Sequence, residues 1–111
     1  FNKIVPIIHY IQAHISEDLS LDNLSKKFYM SKSYLCTLFK KSSGFTINEY
    51  IIRRRILLAC QLLSKSIPVA QVCEMVGFNN LSHFIRTFTT IMDVSPKQYA
   101  IRNEGKNIKT R

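Results

Sequence analysis

Two stretches of this 111-residue chain follow one pattern: Leu19–Tyr50 reads LSLDNLSKKFYMSKSYLCTLFKKSSGFTINEY, and Ile67–Tyr99 reads IPVAQVCEMVGFNNLSHFIRTFTTIMDVSPKQY. A shift of 48 positions aligns their first parts and a shift of 49 aligns the rest, which places Phe39 opposite Phe88. The extra residue of the second stretch falls just before Asn80. Because an insertion inside a helix rotates everything beyond it by about 100°, we expect this residue in a turn. The sequence therefore predicts one structural unit that occurs twice.

Apolar spacing predicts two helices in each copy of the unit. In the first copy, the side chains expected to face the core are Leu21, Leu24 and Phe28 on the first helix and Tyr34, Leu35, Leu38 and Phe39 on the second. Ser20 and Ser31 are favourable N-cap residues for these helices, and Gly44 can end the second one in a left-handed conformation. Two short helices joined in this way are typical of a helix-turn-helix unit.

The second copy carries matching signals. Pro68 is expected early in its first helix, where a missing N–H group costs nothing. Asn79 or Asn80 is expected to cap its second helix, which turns Phe84 and Phe88 inward.

Further helices flank the two units. Five isoleucines on one stripe predict an amphipathic helix before the first unit, at Ile4, Ile7, Ile8, Ile11 and Ile15. A capping box follows each unit, Thr46-x-x-Glu49 after the first and Ser95-x-x-Gln98 after the second. The helix from about Ile47 to Leu63 is expected to be a rigid link between the units.

These signals divide the chain into a first helix-turn-helix subdomain at 1–45, a linker helix at 46–64, a second helix-turn-helix subdomain at 65–102 and a tail at 103–111. The tail is polar and has no periodicity, so we expect it to be disordered. The chain begins at Phe1 rather than at Met, on an incoming helix, and we expect it to be part of a longer protein.

Charge and cysteine content narrow the classes of function. Sixteen Lys and Arg against seven Asp and Glu give a net charge of +9, which favours a polyanionic partner, either nucleic acid or an acidic membrane surface. No apolar stretch is long enough to span a bilayer. Cys36, Cys60 and Cys73 match neither a disulfide framework nor a zinc pattern, so we expect reduced thiols and no metal or cofactor. No catalytic constellation recurs, and we expect no enzymatic activity.

The second helix of each unit has an outward face suited to the major groove, where a helix offers hydrogen-bonding side chains to base edges. The outward side chains are Lys32, Ser33, Cys36, Thr37, Lys40 and Lys41 in the first unit and Leu81, Ser82, Ile85, Arg86 and Thr89 in the second. Arg86 has two interpretations, a guanine contact or a phosphate contact. The lysines favour phosphates, and their alternative is an ordinary solvated face. Cys36 has three interpretations: a groove-facing thiol, a redox sensor, or a half-buried small apolar residue. We favour the last one.

Four motifs follow one another along the chain: SYLxxLFKKxxGxxxxEYIxRRR at Ser33–Arg55, IxxxxVxxxVGF at Ile67–Phe78, FxRxF at Phe84–Phe88 and VSPxxY at Val94–Tyr99. Together they resemble the DNA-binding domain of the AraC/XylS family of bacterial transcription regulators. A single helix-turn-helix match would be weak, whereas these motifs in this order are specific.

The resemblance implies an all-α fold of seven helices, with two helix-turn-helix units held by the linker helix and reading adjacent major-groove segments of double-stranded DNA. By position, it places base-reading residues at Ser33, Cys36, Thr37, Ser82, Ile85 and Arg86, and backbone contacts at Lys32, Lys40 and Lys41. The implied protein is a cytoplasmic transcription regulator, more often an activator, with RNA polymerase as a partner and a separate effector-binding or dimerisation domain.

Several residues depart from the family's common pattern. Thr89 and Thr90 stand where two basic residues are frequent, Asp93 stands where glycine is usual, and Ala100 stands where arginine often follows the tyrosine. We therefore hypothesise that the first unit supplies electrostatic affinity and the second supplies more of the base selectivity through Arg86. The alternative function is a basic helical module that docks a protein or RNA partner without duplex sequence specificity.

Overall fold

The computed structural model describes residues 2–103, with side chains from Lys3 onward. Within this range the chain has no strand and forms seven α-helices after a 3₁₀ turn at Asn2–Ile4. The helices are α1 Val5–Ala13, α2 Leu21–Lys27, α3 Lys32–Ser43, α4 Ile47–Leu63, α5 Val69–Met75, α6 Leu81–Met92 and α7 Pro96–Asn103. The predicted all-α fold of seven helices is confirmed, and α4 has the bounds expected for the linker helix.

The last helix extends one residue into the predicted tail. The sequence predicts Asn103 in the tail, but it is the final residue of α7, and its Nδ2 donates to the Tyr99 carbonyl oxygen at 2.9 Å. The rest of the predicted disordered tail, 104–111, lies outside the described residues.

The chain packs as two compact units, and the boundary between them falls between Arg54 and Arg55, inside α4. Side chains from α1, α2, α3 and the start of α4, with Leu19 from the segment before α2, form the core of the first unit: Ile7, Ile11, Leu19, Leu24, Leu35, Phe39, Ile47 and Ile51. Leu24, Leu35 and Phe39 have no solvent exposure, as the apolar spacing predicts. Their burial fixes α2 and α3 against each other as a helix-turn-helix pair.

An aromatic chain runs through the core of the second unit. The ring centroid of Phe84 lies 5.2 Å from that of Phe78 and 5.9 Å from that of Phe88, which in turn lies 5.7 Å from Tyr99. Phe84 and Phe88 are fully buried, as predicted. These contacts hold α6 against α7 and against the turn that precedes α6. The outward face of α6 therefore belongs to a helix whose inward side is well packed.

The repeat is longer than the sequence motifs indicate, because each unit also begins with an equivalent helix. Gln12 of α1 and Cys60 of α4 are related by the same shift of 48 positions as the first helices of the units. Gln12 Nε2 donates to the Tyr50 hydroxyl at 2.9 Å, and the Cys60 thiol shares a hydrogen bond with the Tyr99 hydroxyl. The start of α4 closes the first unit, and its remainder opens the second. The predicted role of α4 as a link does not include this double role.

Side-chain caps begin the helices at the positions that the sequence predicts. Ser20 Oγ accepts from the Asn23 amide at 3.2 Å, and Ser31 Oγ accepts from the Tyr34 amide at 3.1 Å. Of the two candidates in the second unit, Asn80 is the cap, since its Oδ1 accepts from the His83 amide at 2.8 Å.

Both predicted capping boxes form in full. Glu49 accepts from the Thr46 amide at 2.9 Å while the Thr46 hydroxyl accepts from the Glu49 amide at 3.0 Å. Ser95 and Gln98 make the same reciprocal pair, each bond at 3.1 Å. The hydrogen bond from the Thr46 amide lowers the pKa of the Glu49 carboxyl, so this cap is charged at neutral pH.

Three local predictions were wrong. Leu21 and Tyr34, expected in the core, are 36% and 45% exposed. Both lie at the edge of the buried stripe of their helix, where apolar character alone does not decide between core and solvent. Pro68 is the N-cap residue immediately before α5 and not a residue of the first turn.

In each unit, the turn before the second helix and the end of that helix both have a left-handed backbone position, and one of the two is occupied by glycine. Tyr29, at φ 55°, and its counterpart Gly77, at φ 98°, each precede the second helix of their unit. After the second helix stand Gly44, at φ 85°, and Asp93, at φ 64°. Aspartate tolerates this conformation better than most residues do, whereas a bulky side chain such as that of Tyr29 is strained in it.

Replacing Tyr29 with glycine should therefore raise the free energy of unfolding by about 0.5–1 kcal/mol, because relief of left-handed strain exceeds the added entropy of the unfolded chain. The Tyr29 side chain is 94% exposed, so its removal sacrifices little packing. Chemical denaturation measures the change. Tyr29→Ala is the matched control, since alanine keeps the strain, and equal stability of the two variants would contradict the argument.

Candidate nucleic-acid interface

Two outward helix faces, one on α3 and one on α6, are the surfaces predicted to read DNA. All eleven predicted contact residues are exposed: Lys32, Ser33, Cys36, Thr37, Lys40, Lys41, Leu81, Ser82, Ile85, Arg86 and Thr89. The shift of 49 positions relates the two faces residue by residue, and it places Thr37 opposite Arg86. Each unit therefore presents the same part of the same helix to solvent.

The face of α3 is small and polar at its centre. Ser33 and Thr37 lie on the side of the helix opposite the buried Leu35 and Phe39. Cys36 is exposed beside them, so our preferred interpretation of this residue as half-buried was wrong. The groove-facing thiol and the redox sensor stay predictions.

Two of the lysines around this face are engaged within the protein. Lys32 Nζ forms an ion pair with the Asp22 carboxylate, and the hydrogen bond from this ammonium lowers the pKa of the Asp22 carboxyl. Lys40 Nζ donates to the Gly44 carbonyl oxygen at 3.1 Å, at the carboxyl end of its own helix. The Lys32–Asp22 pair is well exposed and the Lys40 bond lies at the surface, so neither is expected to hold its ammonium strongly. Either lysine can exchange its partner for a phosphate oxygen.

The face of α6 carries a single cationic side chain, Arg86. It projects from the middle of the helix, and within residues 2–103 its guanidinium has no hydrogen-bond or ion-pair partner. Leu81 and Ile85, 43% and 36% exposed, give the face an apolar edge. The Thr89 hydroxyl donates to the Ile85 carbonyl oxygen at 2.7 Å, which leaves its oxygen lone pairs to accept. The face of α6 therefore offers one side chain that can donate two hydrogen bonds, and the residues around it are uncharged.

The 3₁₀ turn at Asn2–Ile4 packs against α3 and adds a cation that the sequence did not reveal. Lys3 Nζ donates to the Tyr34 hydroxyl at 3.1 Å and lies 5.8 Å from the centre of the Tyr34 ring. These two residues are 31 positions apart in the sequence, so helical spacing could not predict that they are in contact.

Cys60 and Cys73 are buried, and burial raises the pKa of both thiols, which keeps them protonated and unreactive. Residues 2–103 contain no group of His, Cys, Asp and Glu side chains arranged to hold a metal ion. The same part of the chain has no helix with the length and hydropathy needed to cross a membrane.

Comparison with curated proteins gives relatives across most of the chain. The regulatory protein PocR of Salmonella typhimurium is 33% identical over 99 residues, which are 88% of this chain and 33% of PocR. The multiple antibiotic resistance protein MarA of Escherichia coli is 32% identical over 98 residues, which are 87% of this chain and 77% of MarA. The chain thus spans about a third of PocR but most of MarA.

Solved structures share the fold. The C-terminal domain of AraT, a response regulator from Geobacillus stearothermophilus, superposes with a TM-score of 0.89 and 28% identity over 94% of this chain and 88% of that one. The DNA-binding domain of AdpA, solved in complex with a target DNA, superposes with a TM-score of 0.85 over 90% of this chain and 91% of that one; at 23% identity it supports the fold alone.

A family profile described as a helix-turn-helix domain matches residues 24–102. This match begins within α2 and covers α3 to α6, nearly all of α7 and all eleven outward residues. The family is one of transcription-regulator DNA-binding domains and not of enzymes. The chain belongs to the AraC-type helix-turn-helix family and is a DNA-binding domain of that type.

Proposed function

We propose that α3 and α6 enter successive major-groove segments of one DNA duplex and that their outward faces select the sequence. The observation that carries the proposal is the equivalence of the two faces, each exposed on a helix whose opposite side is fully buried. Ser33, Cys36 and Thr37 are the proposed base contacts of the first unit. Ser82, Ile85 and Arg86 are those of the second, with Leu81 and Thr89 beside them.

The two units divide the work in this proposal. The first carries Lys32, Lys40 and Lys41 on or beside its face, and these ammonium groups neutralise phosphates without reading sequence. The second has one cation on its face, Arg86, whose planar fork matches the O6 and N7 acceptors of guanine. Affinity therefore comes mainly from the first unit and base selectivity from the second.

The longer protein that carries this domain is proposed to be a cytoplasmic transcription regulator that acts as an activator and contacts RNA polymerase. PocR, a regulatory protein of which the chain covers only 33%, supports a longer regulator around this domain. The segments outside the domain are the proposed place for effector binding or dimerisation. Within the domain, we propose that 1–45 and 65–102 are the readers and that 46–64 is their link.

Selection of bound duplexes from a random pool should recover two half-sites whose centres are about 10–10.5 base pairs apart, since two readers on one face of the duplex need one helical turn between them. Adding five base pairs between the half-sites turns one of them to the opposite face and should abolish the gain from the second site. Recovery of a single half-site, or equal binding of unrelated duplexes, would contradict the proposal. Preference for RNA would favour the alternative of a basic docking module.

A further inference from the structure

We propose that Lys3, held in place by Tyr34, is a phosphate contact of the first unit and completes the cationic border of its reading face. This inference rests on the proposed function and goes beyond it, because neither residue belongs to the outward face of α3. Lys3 lies in the 3₁₀ turn before α1, and the hydrogen bond to Tyr34 brings its ammonium to the side of the reading helix.

The position of Tyr34 around α3 determines on which side of the reading face the Lys3 ammonium lies. Successive residues turn by about 100° around a helix, so Lys32 precedes the central Ser33 by that angle and Tyr34 follows it by the same angle. Lys41, seven residues beyond Tyr34, falls within about 20° of it. Lys32 therefore lies on one flank of the face, while Tyr34, Lys41 and the attached ammonium of Lys3 lie on the other.

A major groove is bordered by two phosphate strands, so a helix that enters it needs cations on both flanks. Lys32 can serve one strand and Lys41 the other. Lys32, however, lies in the first turn of α3 and Lys41 lies in its last turns. Lys3 supplies a second cation on the Lys41 flank, at the level of the first turn, where Tyr34 sits. The strand on that flank would then be contacted at both ends of the helix.

The Tyr34 hydroxyl positions Lys3 rather than neutralising it. One of the three ammonium protons goes to the phenol oxygen at 3.1 Å, and two remain for phosphate oxygens. Because the lysine side chain is already ordered, less conformational entropy is lost on binding. The repeat does not reproduce this pair: the shift of 48 positions places Ile51 opposite Lys3, and the shift of 49 places His83 opposite Tyr34. This difference agrees with the proposed concentration of phosphate contacts in the first unit.

The test is the salt dependence of binding to a random-sequence duplex, measured with the whole chain. Lys3→Ala should reduce the slope of log K against log salt by about 0.9, the loss of one phosphate contact. Tyr34→Phe keeps the charge and the ring, so its slope should match wild type while its affinity falls about two- to threefold from lost ordering of Lys3. Lys65→Ala removes an exposed lysine from the turn after α4 and serves as the matched control, with an unchanged slope.

The outcomes separate this contact from the function on which it rests. Lys3 is exposed, so circular dichroism and thermal melting of Lys3→Ala should match wild type. A wild-type slope in this variant would overturn the phosphate contact and leave duplex binding intact. A Tyr34→Phe affinity equal to wild type would overturn the positioning role of the phenol. Failure of the wild-type chain to bind any duplex would overturn the proposed function and this contact together.

Discussion

Replacing Phe84 with alanine should lower the free energy of unfolding by about 3–5 kcal/mol, the cost of emptying a fully buried aromatic site. Phe84 is at the centre of the aromatic chain of the second unit, with Phe78 and Phe88 rings 5.2 Å and 5.9 Å away. Its removal takes one ring contact from each neighbour and loosens α6 from the turn that precedes it. Denaturant titration followed by circular dichroism measures the loss.

Ile85→Ala is the matched control, because Ile85 is the next residue of the same helix and faces solvent. This change should alter stability by less than about 0.5 kcal/mol. If the two variants were equally stable, the assignment of inward and outward faces on α6 would be wrong. The proposed reading surface of the second unit would then be wrong as well.

Replacing Arg86 with alanine should abolish the preference for guanine at one position of the selected site, a loss of about 1–3 kcal/mol or roughly 5- to 160-fold in relative affinity. Arg86 is the single cation on the face of α6, and within residues 2–103 no carboxylate competes for it. The measurement compares duplexes that carry each of the four base pairs at that position. Binding to random duplex should change much less.

Arg86→Lys separates bidentate recognition from charge. Lysine keeps the positive charge but lacks the planar fork, so random binding should match wild type while guanine preference falls. Thr37→Ala, at the equivalent position of the first unit, is the control. It should leave the guanine preference that is assigned to Arg86 unchanged. An equal loss of selected and random binding in Arg86→Ala would show that this arginine holds a phosphate.

Local signals predicted most of the fold. Helix starts depend on a cap three residues away at most, which is why Ser20, Ser31 and Asn80 could be identified in the sequence and confirmed in the structure. Core positions with strong apolar periodicity, such as Phe39 and Phe88, are buried as expected. Both kinds of signal lie within a few turns of the residue they describe.

The errors arose where the outcome depends on distant partners or on helix edges. Tyr34 is exposed and accepts a hydrogen bond from a lysine 31 positions away, and Cys36 lies where the buried stripe of α3 gives way to solvent. The equivalence of α1 with the later part of α4 was also missed, because Gln12 and Cys60 have no chemistry in common. Only their matching bonds to Tyr50 and Tyr99 reveal it. The contacts of the outward residues with bases and phosphates stay predictions.

The sharing of α4 has a consequence for protein engineering. The two units do not have separate helices at the point where they join. Both use part of α4, one continuous 17-residue helix. Cleavage between Arg54 and Arg55 would leave four unsatisfied carbonyl groups on one fragment and four unsatisfied amides on the other. A chimera that borrows either reader must therefore carry the whole of α4, and a splice point belongs in the turn before Ile47 or in the turn after Leu63.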